Sequence, residues 1–325
     1  MKPSITDYLK TEVLILDGGS GSELENRGLT IGKNPFWSTV PFLTKDASQL
    51  NIVREMYKDF RDAGARALST ITYQSSYHSH IKYGDGSVTN RQEYSDFLDY
   101  IIGFTYEKCI DSDQDYLIGS IGPYASYLSD GSEYTGDYGF ATINFASYYE
   151  PQATKFASDS RIDLIAFETI PNLEEITAIM QQEFTGMLQG KPFIISISTD
   201  REGNMRDGTT PERLCNTIRQ HMGTFPPNLL SFGINCVEFQ SSDIILQKLN
   251  SLLHDCPVKF HAVYPNSGEL YDAKTAKWQR NMNITFEPTW EHLVSKFLAQ
   301  GCKIIGGCCR TTPKDIKQIA DAVRK

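Results

Sequence analysis

Short apolar runs rich in β-branched residues alternate with amphipathic segments along the chain, and this alternation constrains the fold more than any other feature. Eight of these runs resemble buried strands: 13–17, 67–73, 116–122, 164–169, 193–199, 229–236, 258–264 and 303–308. Seven other stretches space apolar residues three and four apart, as helices do: 51–63, 91–109, 173–184, 211–221, 241–254, 290–299 and 313–323. The pattern predicts a single α/β domain over residues 1–325, a (β/α)8 TIM barrel. An open, doubly wound sheet is the alternative.

The predicted barrel separates the seven cysteines into candidates for the active site and other cysteines, because active sites of TIM barrels lie at the carboxyl ends of the strands. Only Cys236, Cys308 and Cys309 end predicted strands. Two neighbouring thiols and one distant thiol predict a three-sulfur metal site with an open fourth position. This arrangement suits Zn²⁺, which is tetrahedral, binds sulfur and keeps a place for substrate when it is catalytic. The alternative is a disulfide between Cys308 and Cys309, which adjacent residues form only by straining the peptide between them.

Several other residues at predicted strand ends are candidates for the active site. The Gly18-Gly19 pair leaves backbone N–H groups bare for a carboxylate, unless it serves only as a tight turn. Glu168 ends an apolar strand, so its carboxylate needs a cationic partner, either a ligand or a structural Arg or Lys. Asp17 is either a general base or a cap at the mouth of the barrel. Tyr73 offers a phenol that can reach a metal, although Tyr in a strand more often packs.

The charge and cysteine content argue against several classes of function. A formal charge of −9 and a pI near 5.2 do not suit binding to nucleic acid or to an anionic membrane. No apolar run approaches the ~18 residues that a membrane span needs. An odd number of cysteines without a cleavable N-terminal signal indicates reduced thiols and a cytoplasmic location. Small molecules are the expected partners, and the oligomeric state is open, with a monomer slightly favoured.

A set of segments at or near the predicted strand ends resembles one known enzyme family. The segments are LDGG (16–19), ELENRG (23–28), ITYQ (71–74), IGSIGP (118–123), EYTGDY (133–138), FETIP (167–171), RDGTT (206–210), GINC (233–236), YPNSGE (264–269) and GGCCRT (306–311). They look like the zinc-dependent homocysteine S-methyltransferase family, and are most similar to its branch of fungal type that uses S-methylmethionine. The resemblance extends from about residue 13 to residue 323.

The resemblance implies a (β/α)8 barrel in which Cys236, Cys308 and Cys309 hold zinc. Homocysteine is then expected to bind the zinc as a thiolate, with its amino group on Glu168 and with Asp17 beside it. Methyl transfer from S-methylmethionine to this zinc-bound thiolate forms methionine, and S-adenosylmethionine is a second candidate donor. The implied substrate site consists of Asp17, Gly18, Gly19, Tyr73, Tyr124, Glu168 and Asn235. Tyr73 matches a tyrosine that can occupy the fourth zinc position in betaine-using relatives when substrate is absent.

The loop after the third predicted strand is a candidate pocket for the donor. Tyr124, Tyr127, Tyr134 and Tyr138 crowd this loop, and Tyr124 stands where close fungal relatives carry tryptophan. Aromatic faces attract onium ions by roughly 0.5–2 kcal/mol each, which suits a sulfonium donor. The alternative is that these tyrosines only pack an irregular loop.

Two other functions fit the same residues. A zinc- or thiol-based binding or redox-sensing barrel without methyl transfer would complete its metal site with a fourth protein ligand. A zinc-free barrel lyase would use Glu168 and Asp17 as acid and base, and chelation would leave its activity unchanged.

Overall fold

A sheet of eight parallel strands forms the centre of the structure, a computed structural model that describes residues 2–139, 142–272, 277–279 and 289–325. All strands in chain order are β1 (Leu14–Ile15), β2 (Ala67–Ser69), β3 (Tyr116–Ile121), β4 (Leu164–Ile170), β5 (Phe193–Ile197), β6 (Leu229–Asn235), β7 (Phe260–Tyr264), β8 (Leu270–Asp272), β9 (Lys277–Gln279) and β10 (Ile304–Ile305). The sheet has the order β1-β10-β7-β6-β5-β4-β3-β2, and β8 pairs with β9 in a separate antiparallel hairpin. A parallel bridge between Leu16 and Ala67 joins β1 to β2. The closed order confirms the predicted (β/α)8 TIM barrel.

Helices pack around the outside of this barrel and follow most of its strands. They are α1 (Ile5–Thr11), α2 (Ser20–Asn26), α3 (Val40–Thr44), α4 (Ala47–Ala63), α5 (Tyr77–Tyr83), α6 (Arg91–Lys108), α7 (Tyr124–Leu128), α8 (Phe145–Ser158), α9 (Leu173–Ile179), α10 (Gln182–Gly186), α11 (Pro211–His221), α12 (Ser242–Leu252), α13 (Trp290–Ala299) and α14 (Pro313–Val323). The helix predicted over 173–184 is interrupted, because Gln181 has the extended backbone (φ −69°, ψ 146°) of a new N-cap. In the described residues, no helix is long and apolar enough to cross a membrane.

Among the described residues, the sequence patterns missed six helices, α1, α2, α3, α5, α7 and α8, of which α8 and α1 show why. In α8, Pro151 lies inside the helix, where it removes one backbone hydrogen bond and obscures the apolar spacing of Phe145 and Phe156. In α1, Ser4 caps the helix by accepting the Asp7 N–H at 3.1 Å. This first helix lies at the amino-terminal end of the barrel, opposite the expected site.

Two apolar layers position the strand ends. Inside the barrel, Leu14, Ile118, Ala166 and Ile304 form one buried cluster. Ile5 of α1 joins this cluster from the amino-terminal end of the barrel. A larger cluster fills the space between the sheet and the helices. Strands buried on both faces are continuous apolar runs in sequence, which is why they were predictable. The second strand is shorter than predicted: it ends at Ser69, so the residues that follow belong to a loop.

Candidate metal centre and active site

Three thiols converge at the carboxyl ends of β6 and β10. Cys236 directly follows β6, and Cys308 and Cys309 follow β10 after two glycines. Their Sγ atoms all lie within 4.8 Å of one another, and the Sγ atoms of Cys236 and Cys309 are 3.7 Å apart. Two sulfur ligands of a tetrahedral zinc ion lie about 3.8 Å apart, given a Zn–S distance of about 2.3 Å. The three thiols therefore have the spacing of a zinc-binding set.

The protein leaves one side of this thiol cluster open. Among the described residues, no fourth His, Cys, Asp or Glu side chain joins the three thiols. The cysteines instead line a cavity of about 470 Å³. Structural zinc sites are closed by four protein ligands, whereas catalytic sites keep a position for substrate. The arrangement matches a catalytic site, and the redox-sensing alternative finds no fourth ligand in the described part of the chain.

The backbone around the thiol cluster adopts left-handed conformations that residues other than glycine rarely take. The φ angles of Thr169 and Cys236 are 63° and 52°, and Arg310 has a φ angle of 64°. Each such residue costs about 1–3 kcal/mol, and such residues concentrate at functional sites. The Cys308 N–H donates to the Pro265 carbonyl at 2.8 Å, which ties the cysteine loop to the end of β7. These turns direct the thiols toward one point.

The three thiols do not all ionise readily on their own. Hydrogen bonds from Cys308 and Cys309 lower the pKa of Cys236 well below that of an ordinary thiol. Hydrogen bonding with Cys236 raises the pKa of Cys308 and that of Cys309 well above it. A bound divalent cation favours the thiolate form of every ligand, so this donor set is suited to a cation. All seven cysteines are free, and the alternative of a Cys308–Cys309 disulfide is not formed.

Two of the carboxyl groups that line the same cavity come from barrel strands: Asp17 follows β1 and Glu168 lies in β4. Ser69 donates its backbone N–H (2.9 Å) and its hydroxyl (3.2 Å) to Asp17. Ser120 donates its hydroxyl to Glu168. Burial raises the pKa of Asp17 from 3.8 to about 7 and that of Glu168 from 4.5 to about 7, against the effect of these hydrogen bonds. Both groups are therefore only partly ionised near neutral pH.

Glu168 has no structural cation as its partner in the part of the chain that the structure describes. Among the residues that the structure describes, no Lys or Arg forms an ion pair with this carboxyl group, and none contributes to its pKa. Within the described part of the chain, the alternative of a structural Arg or Lys partner finds no support. A buried carboxyl group of this kind can pair with a cationic ligand.

Gly18 and Gly19 bring the first βα loop against the cysteine loop. The Gly19 N–H donates to the carbonyl (3.1 Å) and the hydroxyl (3.0 Å) of Thr311, so the prediction of a bare N–H group is wrong at Gly19. The Gly18 N–H has no hydrogen-bond partner among the described residues. A Cβ atom at Gly18 would lie 2.7 Å from the Phe60 ring, and one at Gly19 would lie 2.5 Å from the Cys308 carbonyl oxygen. Glycine is thus required here by close packing.

Asn235, the last residue of β6, is almost fully buried (1% exposed), and its side-chain amide is hydrogen-bonded to Thr169. Its Oδ1 accepts the Thr169 N–H at 2.8 Å, and its Nδ2 donates to the Thr169 hydroxyl at 2.7 Å. The same Nδ2 lies 3.9 Å from the Cys308 Sγ atom. Asn235 therefore fixes the end of β4, and with it Glu168, beside the thiols. Tyr73 lines the cavity from the loop after β2, and burial raises the pKa of its phenol well above the ordinary value.

Tyr124 does not line the cavity. Its ring packs against the rings of Tyr127, Tyr138 and Tyr148, with centroids 5.2–5.4 Å apart. Of the four tyrosines predicted to form a donor pocket, all of which the structure describes, only Tyr134 lines the cavity. The packing alternative fits the other three. The expectation that Tyr124 contacts a substrate finds no support, because its ring is engaged behind the loop.

A buried carboxyl group that the sequence analysis missed holds this loop in place. Glu175 in α9 accepts hydrogen bonds from the Tyr149 hydroxyl (2.7 Å), the Tyr124 N–H (2.7 Å) and the Tyr138 hydroxyl. Its side chain is 0% exposed. Glu175 and its exposed neighbour Glu174 look alike in sequence, because helical spacing alone does not show which acidic residue faces inward.

The cavity wall contains further residues that the sequence analysis did not assign. Arg206, Glu133 and Trp37 line it, as do Ser120 and Tyr264. Arg206 and Glu133 both belong to segments that carry the family resemblance. They lie on long loops after β5 and β3, whose course the strand pattern does not predict.

The position of the thiol cluster defines the class of protein, because an open metal site at the carboxyl ends of barrel strands is where TIM-barrel enzymes carry out catalysis. The chain thus has the architecture of a TIM-barrel enzyme with a candidate metal centre. More particularly, it belongs to the homocysteine S-methyltransferase family, whose family model matches residues 14–323. The family is a methyltransferase family that methylates homocysteine and forms methionine. This result confirms the resemblance and the predicted enzyme class.

Known relatives match the chain over nearly its whole length. Homocysteine S-methyltransferase 1 of Saccharomyces cerevisiae is 44% identical over 321 residues, which cover 97% of this chain and 95% of the relative. Homocysteine S-methyltransferase 2 of the same organism is 41% identical over 333 residues, covering 100% and 98%. The metallated form of the homocysteine methyltransferase MmuM from Escherichia coli superposes with a TM-score of 0.74 at 26% identity, covering 97% of this chain and 98% of that one.

Proposed function

We propose that this chain transfers a methyl group from S-methylmethionine to homocysteine, with zinc held by Cys236, Cys308 and Cys309. The observation that carries the proposal is the 3.7 Å separation of the Cys236 and Cys309 Sγ atoms at the wall of an open cavity. Zinc bound there would supply the Lewis acidity that stabilises the homocysteine sulfur as a thiolate at neutral pH. No side-chain base is then required for the sulfur, which leaves Asp17 and Glu168 available to bind substrate.

The homocysteine ammonium group is the cation that Glu168 lacks within the described chain. Ser120 orients the Glu168 carboxyl group by a hydrogen bond, and Asn235 holds the end of β4 through Thr169. An ammonium ion favours the ionised form of a buried carboxyl group and offsets the cost of its burial. We assign the ammonium to Glu168, with Asp17 beside it. The unpaired Gly18 N–H supports a contact with the homocysteine carboxylate.

A sulfonium donor suits this cavity, because the described residues that line it include four carboxyl groups and two cationic side chains. The thiolate attacks the methyl carbon in line with the bond to the donor sulfur; the new S–C bond forms as the old one breaks. The bond electrons return to the donor sulfur, so S-methylmethionine leaves as methionine and homocysteine becomes a second methionine. The negative charge of the thiolate and the positive charge of the sulfonium are neutralised as the methyl group is transferred. Correct positioning of the two substrates must therefore provide much of the acceleration, and oriented reactants can lower the barrier by up to about 7–11 kcal/mol.

The amino-acid end of the donor is what distinguishes the candidate donors. Betaine also carries an onium centre, so charge alone cannot exclude it, but betaine lacks the ammonium group that a polar pocket can recognise. S-adenosylmethionine shares the amino-acid end and adds a bulky adenosine, so we expect weaker use. Steady-state kinetics with the three donors at fixed homocysteine, with zinc quantified in the same preparation, test the proposal. We expect the highest kcat/KM with S-methylmethionine, and loss of activity on chelation with recovery on adding zinc.

Two results would contradict this function. A higher kcat/KM with betaine than with S-methylmethionine would overturn the choice of donor. Activity that chelation leaves unchanged would overturn the role of zinc and favour the lyase alternative.

We also propose that residues 1–325 form one catalytic unit that acts as a monomer in the cytoplasm. A single sheet that takes strands from residue 14 to residue 305 supports one unit. The three thiols must stay reduced to bind a metal, which supports a reducing compartment. Sedimentation analysis of the zinc-loaded chain tests the monomer.

A further inference from the structure

Two charged side chains on the cavity wall have no partner among the residues that the structure describes. Arg206 lies in the loop after β5, and its Nε atom is buried without a hydrogen-bond partner. Glu133 lies in the loop after β3 and forms no ion pair, either with Arg206 or with another described residue. Partly buried groups of opposite charge that do not pair are costly unless a ligand completes them. The two side chains therefore indicate a ligand that carries both charges.

The main chain on both sides of Arg206 is fixed. Met205 is buried (1% exposed). The Asp207 N–H donates to the Pro171 carbonyl at 3.1 Å, and the Asp207 carboxylate accepts the Leu173 N–H at 2.8 Å. These contacts tie the Arg206 loop to the segment between β4 and α9. The fold thus presents Arg206 at the cavity wall, rather than on a freely moving loop.

Both side chains line the same cavity as the three thiols. A ligand that contacts Arg206 and Glu133 would therefore share this cavity with the proposed site of methyl transfer.

Two other charged residues line the cavity but fit a ligand less well. Lys33 is exposed to solvent, where screening and hydration weaken its attraction for an anion. Glu25 already interacts with a cation of the protein, because its charge helps to raise the pKa of Arg310. Arg206 and Glu133 are instead both partly buried and without an ion-pair partner among the described residues.

We propose that Arg206 and Glu133 bind the amino-acid end of the methyl donor, with the guanidinium on the α-carboxylate and the carboxylate on the α-ammonium group. The inference rests on the proposed function, since it requires a sulfonium donor that is itself an amino acid. One carbon of such a donor carries both charges, which matches one unpaired group of each sign. A guanidinium can bind a carboxylate through two parallel hydrogen bonds, which a lysine cannot do. Glu168 and Asp17 remain for homocysteine.

Donor analogues that each lack one charged group test this assignment. (3-Aminopropyl)dimethylsulfonium lacks the carboxylate of S-methylmethionine, and (3-carboxypropyl)dimethylsulfonium lacks its ammonium group. We expect Arg206→Met to lower kcat/KM for S-methylmethionine by about 10- to 100-fold and to leave kcat/KM for the aminopropyl analogue within about twofold. Glu133→Gln should show the reverse selectivity and spare the carboxypropyl analogue. The KM for homocysteine, measured at saturating donor, should stay unchanged in both variants.

Matched controls lie on the same two loops. Arg201→Met removes a cation whose side chain is 61% exposed and paired with Glu238 at 2.8 Å. Asp137→Asn removes an exposed carboxylate near Glu133 that does not line the cavity. Both should retain the kinetics of the parent with all three donors. Zinc content and thermal unfolding verify that each variant is folded, and Arg206→Lys, which keeps the charge without the second hydrogen bond, should lose kcat/KM for S-methylmethionine to an intermediate extent.

Several results would overturn the assignment. An equal loss of kcat/KM for all three donors in Arg206→Met, or a higher KM for homocysteine, would show that Arg206 does not select the donor carboxylate. If Lys33→Met, rather than Arg206→Met, loses the preference for donors that carry a carboxylate, the role belongs to Lys33. In each of these cases the parent still uses S-methylmethionine. Failure of the proposed function is distinct, because the parent would then use none of the sulfonium donors.

Discussion

Cys236, Cys308 and Cys309 each supply one sulfur to the proposed zinc site, so none of them is redundant. A serine hydroxyl is a poorer zinc ligand than a thiolate. We expect serine at any one of the three positions to lower zinc affinity by more than about tenfold and to abolish methyl transfer, with the barrel intact. Zinc content after dialysis, together with circular dichroism, measures both effects.

Cys215 provides the matched control for these cysteine variants, because it is buried in α11 and does not line the cavity. Cys215→Ser should keep its zinc and lose only stability. Stoichiometric zinc in all three of the ligand variants would contradict the assignment of the metal site.

The pKa of Glu168 gives homocysteine binding a predictable dependence on pH. Burial raises this pKa from 4.5 to about 7, so the carboxyl group becomes protonated as the pH falls below 7, and only its ionised form pairs with an ammonium group. Affinity for homocysteine should therefore weaken with falling pH. Glu168→Gln should remove this part of the dependence and weaken binding above pH 7 by about 2 kcal/mol, while zinc is retained.

The KM for homocysteine at saturating donor, compared between the parent and Glu168→Gln from about pH 5.5 to pH 8, isolates the contribution of this carboxyl group. Ionisation of the homocysteine thiol affects both proteins equally and cancels in the comparison. Equal KM values for the two proteins at every pH would return Glu168 to a structural role.

At the scale of elements, the strands that carry the site could be predicted and the loops between them could not. The apolar run predicted over 229–236 is β6 with one residue added, because burial on both faces leaves an uninterrupted signal. That signal located Cys236 and Glu168. The apolar pattern of the strands does not predict the path of the loops between them. For this reason Tyr124 was assigned to the cavity and Arg206 was overlooked. Only tertiary packing decides which loop side chains face inward.

The connection between α9 and the tyrosine-rich loop is expected to contribute to stability rather than to chemistry. Glu175 accepts three hydrogen bonds from this loop and α8, so its removal leaves buried donors without an acceptor. We expect Glu175→Ala to reduce the free energy of unfolding by about 2–4 kcal/mol, with zinc content unchanged. Denaturation in urea measures the loss.

Glu174→Ala is the matched control for that variant, since Glu174 is the exposed neighbour in the same helical turn. It should change the free energy of unfolding by less than about 0.5 kcal/mol. A similar small change in Glu175→Ala would show that the buried network does not stabilise the fold.

For the whole molecule, closure of the barrel is what assembles the site. Asp17 and Cys309 lie at opposite ends of the sequence, and they meet because β1 pairs with β10. The helix α1 covers the other end of the barrel, where Tyr116 donates its hydroxyl to the Pro3 carbonyl at 3.0 Å. Only the end with the thiols is therefore arranged to admit substrates. Strand order in a parallel barrel follows chain order, which is why the fold prediction also gave the location of the site.

Whether homocysteine binds a zinc ion held by the three cysteines is tested most directly by X-ray absorption at the zinc edge, recorded with and without homocysteine. Without it, we expect about three sulfur neighbours at about 2.3 Å and one lighter ligand. With it, we expect about four sulfur neighbours at the same distance. A set of neighbours that homocysteine leaves unchanged, or one with fewer than three sulfurs at the start, would contradict a metal centre at which homocysteine is activated.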